Sequence, residues 1–230
     1  LGHTSEVNEV AITPDGKKAV SASWDKTCIL WDLDSGKKIH TLTGHTDSVN
    51  SVAITPDGKI AVSACYDNTC IVWDLDSGNK INILVGHTSY VNTVAITPDG
   101  KIAVSASYDN TCIVWNLATG DKINIFKGHT ASIDAIAIAQ CGKRVISASE
   151  DKTCIVWNIE SGEALARFIS DSPINSISLL STSILLGCIG KEVTCLDTGK
   201  ELLLACTPLS LIRQIWDTEL NNYLPASADC

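Results

Sequence analysis

The chain has 230 residues, 45% of them apolar and 19% charged, with a net charge of -9 and a pI near 4.9. That composition suits a folded globular protein and excludes a disordered one. The acidic balance argues against a phosphate-tracking nucleic-acid binder and a polybasic membrane anchor, and no apolar run approaches a membrane span; LLSTSILLGCIG (179–190) is short and broken by polar groups.

The N-terminus has no charged segment leading into an apolar one, so no signal peptide is expected. The chain begins at Leu1 and contains no Met, so it is expected to be a piece of a longer protein. Ten cysteines could suggest disulfides, but Cys28, Cys70, Cys112 and Cys154 recur 42 residues apart, which implies one shared packing role. Cys65 and Cys70 could bridge a hairpin, yet lack the paired spacing of a zinc site. Buried thiols in a reducing, cytoplasmic setting are the expectation.

The 42-residue period governs everything else. Gly-His recurs at Gly2-His3, Gly44-His45, Gly86-His87 and Gly128-His129, and SASWDKTCILWD (21–32) returns with small changes at 63, 105 and 147. Repeats 44–85 and 86–127 are identical at 32 of 42 positions. Periods of this length signal solenoids or propellers.

Within one unit, VNSVAI (49–54), IAVSAC (60–65), TCIVWD (69–74) and KINILV (80–85) read as short β-branched strands. TPDG (55–58), YDN (66–68) and DSGN (76–79) read as the turns between them. The prediction is a four-stranded antiparallel meander, buried on both faces by stacked neighbours. The units are 1–43, 44–85, 86–127 and 128–168. In 169–206 the runs INSISLL (174–180), SILLGCI (183–189), EVTCLD (192–197) and ELLLAC (201–206) predict a degenerate fifth, and 207–230 a tail holding a stray Trp216-Asp217.

The Gly-His start, the turn aspartates Asp25, Asp67, Asp109 and Asp151, and the closing Trp-Asp or Trp-Asn pair resemble the WD-repeat β-propellers. The resemblance implies an all-β fold of four-stranded blades, about five in this chain and part of a larger ring. It also implies a hydrogen-bonded tetrad of His45, Ser63, Asp67 and Trp73 in one blade. His3, Asp25 and Trp31 match it, as do His87, Asp109 and Trp115, and His129, Asp151 and Trp157. Asn116 and Asn158 depart from the pattern by following tryptophan where Asp32 and Asp74 stand.

Ser, His and Asp recur in every unit, which fits a structural network better than a catalytic triad. DLDSG (32–36, 74–78) lacks the closing glutamate of a calcium loop, and GCIGKE (187–192) is too short for a phosphate loop. No catalytic residue, metal ion or cofactor is expected. The chain reads as a non-catalytic interaction scaffold. A sensor propeller of a larger signalling ATPase is the alternative, with a propeller enzyme or small-ligand binder behind it.

Partner-binding positions are sought where the units vary. Repeats 2 and 3 differ at Asp47/Ser89, Ser48/Tyr90, Ser51/Thr93 and Cys65/Ser107, and then at the outer turn. Flanking the Val or Ile after Gly-His stand Glu6 and Asn8, Ser48 and Asn50, Tyr90 and Asn92, Ser132 and Asp134. Before the turn aspartate stand Trp24, Tyr66, Tyr108 and Glu150. The resemblance puts these twelve on the top face around a central channel. An aromatic arc with an acidic border would suit a protein or peptide bearing an apolar anchor and basic neighbours.

Overall fold

The computed structural model describes the backbone of residues 2–179, 184–189 and 192–197 and the side chains of residues 2–177. Every regular element in it is a strand. Blade 1 comprises β1 (Val7–Ile12), β2 (Lys18–Ser23), β3 (Thr27–Asp32) and β4 (Lys38–Thr43). Blade 2 comprises β5 (Val49–Ile54), β6 (Ile60–Cys65), β7 (Thr69–Asp74) and β8 (Lys80–Val85), the same four runs that the sequence predicts. Blade 3 follows with β9 (Val91–Ile96), β10 (Ile102–Ser107), β11 (Thr111–Asn116) and β12 (Lys122–Lys127). Blade 4 has β13 (Ile133–Ile138), β14 (Arg144–Ser149), β15 (Thr153–Asn158) and β16 (Ala164–Ile169). A three-stranded sheet of β17 (Ser176–Leu179), β18 (Ile184–Ile189) and β19 (Glu192–Asp197) comes next. The predicted strand 201–206 and the tail 207–230 lie outside the described residues.

Each blade is an antiparallel meander in chain order. The first strands touch one another along the series β1, β5, β9, β13 and β17, while the last strands of neighbouring blades do not meet closely. Sheets that converge on one edge and splay at the other are wedges of a propeller.

Packing explains why the middle strands are apolar on both faces. Val20, Ala22, Cys28, Leu30 and Leu42 of blade 1 form one cluster with Val49, Val52, Ala61, Ile71, Trp73 and Leu75 of blade 2. The same arrangement joins blades 2 and 3, and blades 3 and 4. Cys28, Cys70, Cys112 and Cys154 are buried free thiols within these clusters. Burial pushes the Cys154 thiol up to about 12, so it acts as a small hydrophobe. No described blade covers the upstream face of blade 1. There Val7, Val10 and Ile12 are 48%, 55% and 60% exposed, whereas Val49 and Val52 are 0% and 4% exposed.

The predicted turns carry the expected strain relief. Gly58 and Gly78 take φ of 71° and 72° in the turns after the first and third strands. The tight turn after the second strand puts Lys26, Asn68, Asn110 and Lys152 at positive φ. Asparagine tolerates that region and lysine does not. Lys152→Asn, copying the residue at 68 and 110, is therefore expected to stabilise by about 0.5 kcal/mol. A lower melting temperature for that variant would contradict the assignment of strain.

Candidate functional site

The three hairpin turns of each blade and the loop to the next blade sort into two ends. The TPDG and DSGN turns lie at one end, and the Gly-His loop and the tight YDN turn at the other. At this second end Trp24 N–H donates to Glu6 O, Tyr66 N–H to Ser48 O, Tyr108 N–H to Tyr90 O and Glu150 N–H to Ser132 O, each at 3.0 Å. The backbone thus holds the residue before each first strand beside the residue after each second strand.

The histidine network lies just beneath this end. In blade 2, Trp73 Nε1–H donates to Ser63 Oγ at 2.8 Å, Ser63 Oγ lies 2.7 Å from His45 Nε2, and His45 Nδ1 lies 2.9 Å from Asp67 Oδ2. An ionised carboxylate only accepts, so Nδ1 carries the proton and Nε2 accepts from the serine hydroxyl. Ser21, Ser105 and Ser147 occupy the corresponding place between Trp31 and His3, Trp115 and His87, and Trp157 and His129.

A threonine two residues after each aspartate extends the network, a role the sequence reading did not assign. Thr27, Thr69, Thr111 and Thr153 each donate their hydroxyl to the aspartate Oδ1 at 2.6 Å. The threonine stands in all four copies of the repeated string, but so do its strand neighbours, so recurrence alone does not assign the role. The backbone N–H of Thr4, Thr46, Thr88 or Thr130 adds a third donor to the same carboxylate. Burial pushes these carboxyls up, yet the donors outweigh it and hold Asp25 and Asp151 at about 2. Asp67 and Asp109 lie lower still, with His45 and His87 the strongest donors. Burial lowers His129, which keeps it neutral at pH 7.

Ser63, His45 and Asp67 have the connectivity of a hydrolase triad, but not its access. Ser63 is fully buried, and its oxygen is capped by the Trp73 indole N–H. A nucleophile must meet its substrate, and this one faces tryptophan. The glycine of Gly-His has a packing reason too. A Cβ on Gly86 would come within 2.9 Å of the Trp115 ring, so only glycine lets the loop close over the tryptophan.

Cys65 substitutes for the serine at 23, 107 and 149. Its thiol donates to Asp47 O at 3.1 Å and accepts Asp67 N–H at 3.3 Å, as Ser107 does with Ser89 O and Asp109 N–H. It forms no disulfide with Cys70. His45, Cys65 and Asp67 offer nitrogen, sulfur and oxygen atoms within 4.8 Å of one another. Each of these side chains already serves the hydrogen-bond network, and burial pushes the thiol up to about 12, away from the thiolate a metal needs.

The DLDSG runs are turns. Asp32 Oδ1 accepts from Ser35 N–H at 2.7 Å, and Asp74 Oδ1 from Ser77 N–H at 2.7 Å. Asn116 and Asn158 use an amide oxygen in the same way, towards Ala118 and Glu160 N–H at 2.9 Å. Only an acceptor oxygen is required after the tryptophan, which explains the Asp-to-Asn departure.

The twelve variable positions divide. Tyr66 and Tyr90 stack with ring centroids 4.7 Å apart, and Tyr90 meets Tyr108 edge-on at 6.0 Å. Trp24 is 46% exposed but stands outside these ring contacts. Glu6 and Glu150 are exposed, and Ser48 and Asp134 half-buried. Ser132 and Asn92 are buried, at 5% and 8%. The asparagines turn inward to the next blade: Asn8 Nδ2 donates to Val49 O at 2.9 Å, Asn50 to Asn92 O at 3.0 Å, and Asn92 to Ile133 O at 3.0 Å.

The family described as WD domain, G-beta repeat matches residues 1–32, 36–74, 78–116 and 120–158, more than half of the chain. The chain belongs to the WD-repeat family. Each matched segment after the first joins the last strand of one blade to the first three of the next, whereas a cut at Gly-His isolates a whole blade. Among curated proteins, the chain is similar to the small ribosomal subunit protein RACK1 of Caenorhabditis elegans, 45% identical over 42 residues. It is also similar to the RACK1 of Candida albicans, 53% identical over 36 residues. These segments cover 18% and 16% of this chain, and only 13% and 11% of the two relatives. A WD-repeat propeller is in general terms a scaffold for protein interaction. No helix among the described residues is long and apolar enough to cross a membrane.

Proposed function

We propose that this propeller is a non-catalytic scaffold that captures a protein or peptide partner on the end of the blades bearing Tyr66, Tyr90 and Tyr108. The observation that carries this reading is the tyrosine stack across blades 2 and 3, with Tyr90 and Tyr108 each left nearly half exposed at 47% and 45%. Repetition supports it, since the frame around these positions is held nearly constant while the side chains change from blade to blade. Tyrosines with polar tips are favoured anchors at interfaces, and the acidic Asp134 and Glu150 of blade 4, with Glu6 on blade 1, suit a partner with an apolar anchor and basic neighbours. The buried thiols fit a reducing compartment such as the cytoplasm.

The test is capture of the native partner from its own cells by tagged parent and variant proteins. Tyr66→Ala and Tyr108→Ala are expected to cut recovery of the partner by about thirtyfold, the loss of roughly 2 kcal/mol from a central anchor. Their melting temperatures are expected to fall by no more than a few degrees. Substitution of Asn79, in a turn at the opposite end, or of Lys122, the first residue of β12 beside such a turn, is expected to change neither. Equal recovery by the tyrosine variants sinks the reading.

A further inference from the structure

The inter-blade asparagine ladder has one broken rung. Asn8, Asn50 and Asn92 stand at one repeat position, and each donates its side-chain N–H to a backbone carbonyl of the following blade. The fourth residue at that position is Asp134, whose carboxylate has no N–H to give. It accepts instead, from Ser132 Oγ at 2.9 Å and from Asn92 Nδ2 at 3.3 Å. Among the described residues no cation pairs with it, although it is half-buried. Repeat symmetry would be restored by one amide.

The same carboxylate belongs to the tyrosine cluster. Asn92, two residues after Tyr90, donates to it at 3.3 Å, and the Tyr90 ring touches both Tyr66 and Tyr108. Burial is the first cause that pushes both phenols up; Asp134 and Glu150 add to it at Tyr108, and Tyr108 and then Asp134 at Tyr66. Burial pushes Asp134 itself up, the Ser132 hydroxyl opposes this and Glu150 adds to it. Aromatic faces and an unpaired carboxylate share one preference. Both favour a positive charge, and together they favour one on an apolar stem.

We infer that Asp134, together with the rings of Tyr66 and Tyr108, forms a seat for one lysine or arginine side chain of a protein partner. The seat deepens the proposed function by giving the basic neighbour a defined place, and it rests on that reading. The stem of the basic residue lies along the tyrosine rings and its charged head faces Asp134, with Glu150 adding a second, exposed charge. Replacing Asp134 by Asn copies the residue that blades 1, 2 and 3 already use, so it removes the charge with an amide the repeat accepts at that position.

The experiment uses a fluorescent peptide Gly-Ser-Gly-X-Gly-Ser-Gly with X as lysine, arginine, norleucine or glutamate, titrated against the parent chain and Asp134→Asn. On the parent, lysine and arginine are expected to bind roughly tenfold more tightly than norleucine, and glutamate most weakly. On Asp134→Asn that preference is expected to shrink below about threefold while the melting temperature stays equal or rises. Equal binding of lysine, arginine and norleucine by the parent overturns the seat, as does a preference that Asp134→Asn leaves intact or no measurable binding of any peptide. Loss of native-partner capture in Tyr66→Ala with full capture by Asp134→Asn would also overturn the seat, while leaving the scaffold reading in place.

Discussion

Trp73→Ala is expected to lower stability by about 3–5 kcal/mol and the melting temperature by roughly 10 °C or more. Trp73 is 1% exposed and packs against Val20, Leu30 and Leu42 of blade 1, so its removal opens a cavity between two blades. It also removes the only indole donor to Ser63, which sits in the bond chain to His45 and Asp67. Trp73→Phe separates the two effects, because it keeps most of the volume and loses the N–H. That variant is expected to cost about 1–2 kcal/mol. His45→Ala removes hydrogen bonding and little bulk, and falls on the order of 1–3 kcal/mol. Trp31 is the internal control. It is only half-buried, on the upstream face of blade 1 that no described blade covers, so Trp31→Ala is expected to cost markedly less. Urea unfolding followed by circular dichroism measures all four, and equal losses at Trp31 and Trp73 would refute the inter-blade account.

The strands of blade 2 were legible because tertiary packing and local propensity agree. β-branched runs sit between turns whose Gly58, Asn68 and Gly78 all adopt positive φ, so each boundary is set by its own chemistry. The histidine network was legible in part. His45, Ser63, Asp67 and Trp73 follow from a resemblance, while Thr69 does not, although its hydroxyl makes one of the shortest bonds in the set. Thr69 lies on a strand rich in β-branched residues, where threonine is ordinary, and nothing in its spacing separates a ligand of the aspartate from a strand former.

The inward turn of Asn50 and Asn92 was not legible at all. Sequence variation marks where blades differ, but a side chain beside the inner strand can face the solvent or the next blade. Burial decides between them, and burial is a property of the stack. Asp134 acquires its meaning only from that stack, since a lone aspartate among asparagines is a small change in sequence and a lost donor in space.

Acid is expected to unfold this protein through the four turn aspartates, with the melting temperature falling by roughly 10 °C or more between pH 5 and pH 2. Each carboxylate accepts from a threonine hydroxyl, a backbone N–H and a histidine, and these donors win over burial. Their folded-state values lie below the ordinary 3.8, at about 2 for Asp25 and Asp151. A depressed carboxylate stabilises the fold above its unfolded value and loses that contribution as pH falls through its folded value. The window therefore opens near pH 4 and runs to about pH 2. His129 acts in the same direction from higher pH, because burial lowers it and the unfolded chain takes its proton first. Asp134 acts oppositely. Its folded value is raised, so its ionisation opposes folding at neutral pH and is relieved on acidification. Asp109→Asn is the diagnostic variant: it is expected to melt well below the parent at pH 7, with the gap closing as pH approaches 2. A gap that stays constant across the series would mean that the network stabilises through shape alone and not through the ionised carboxylate.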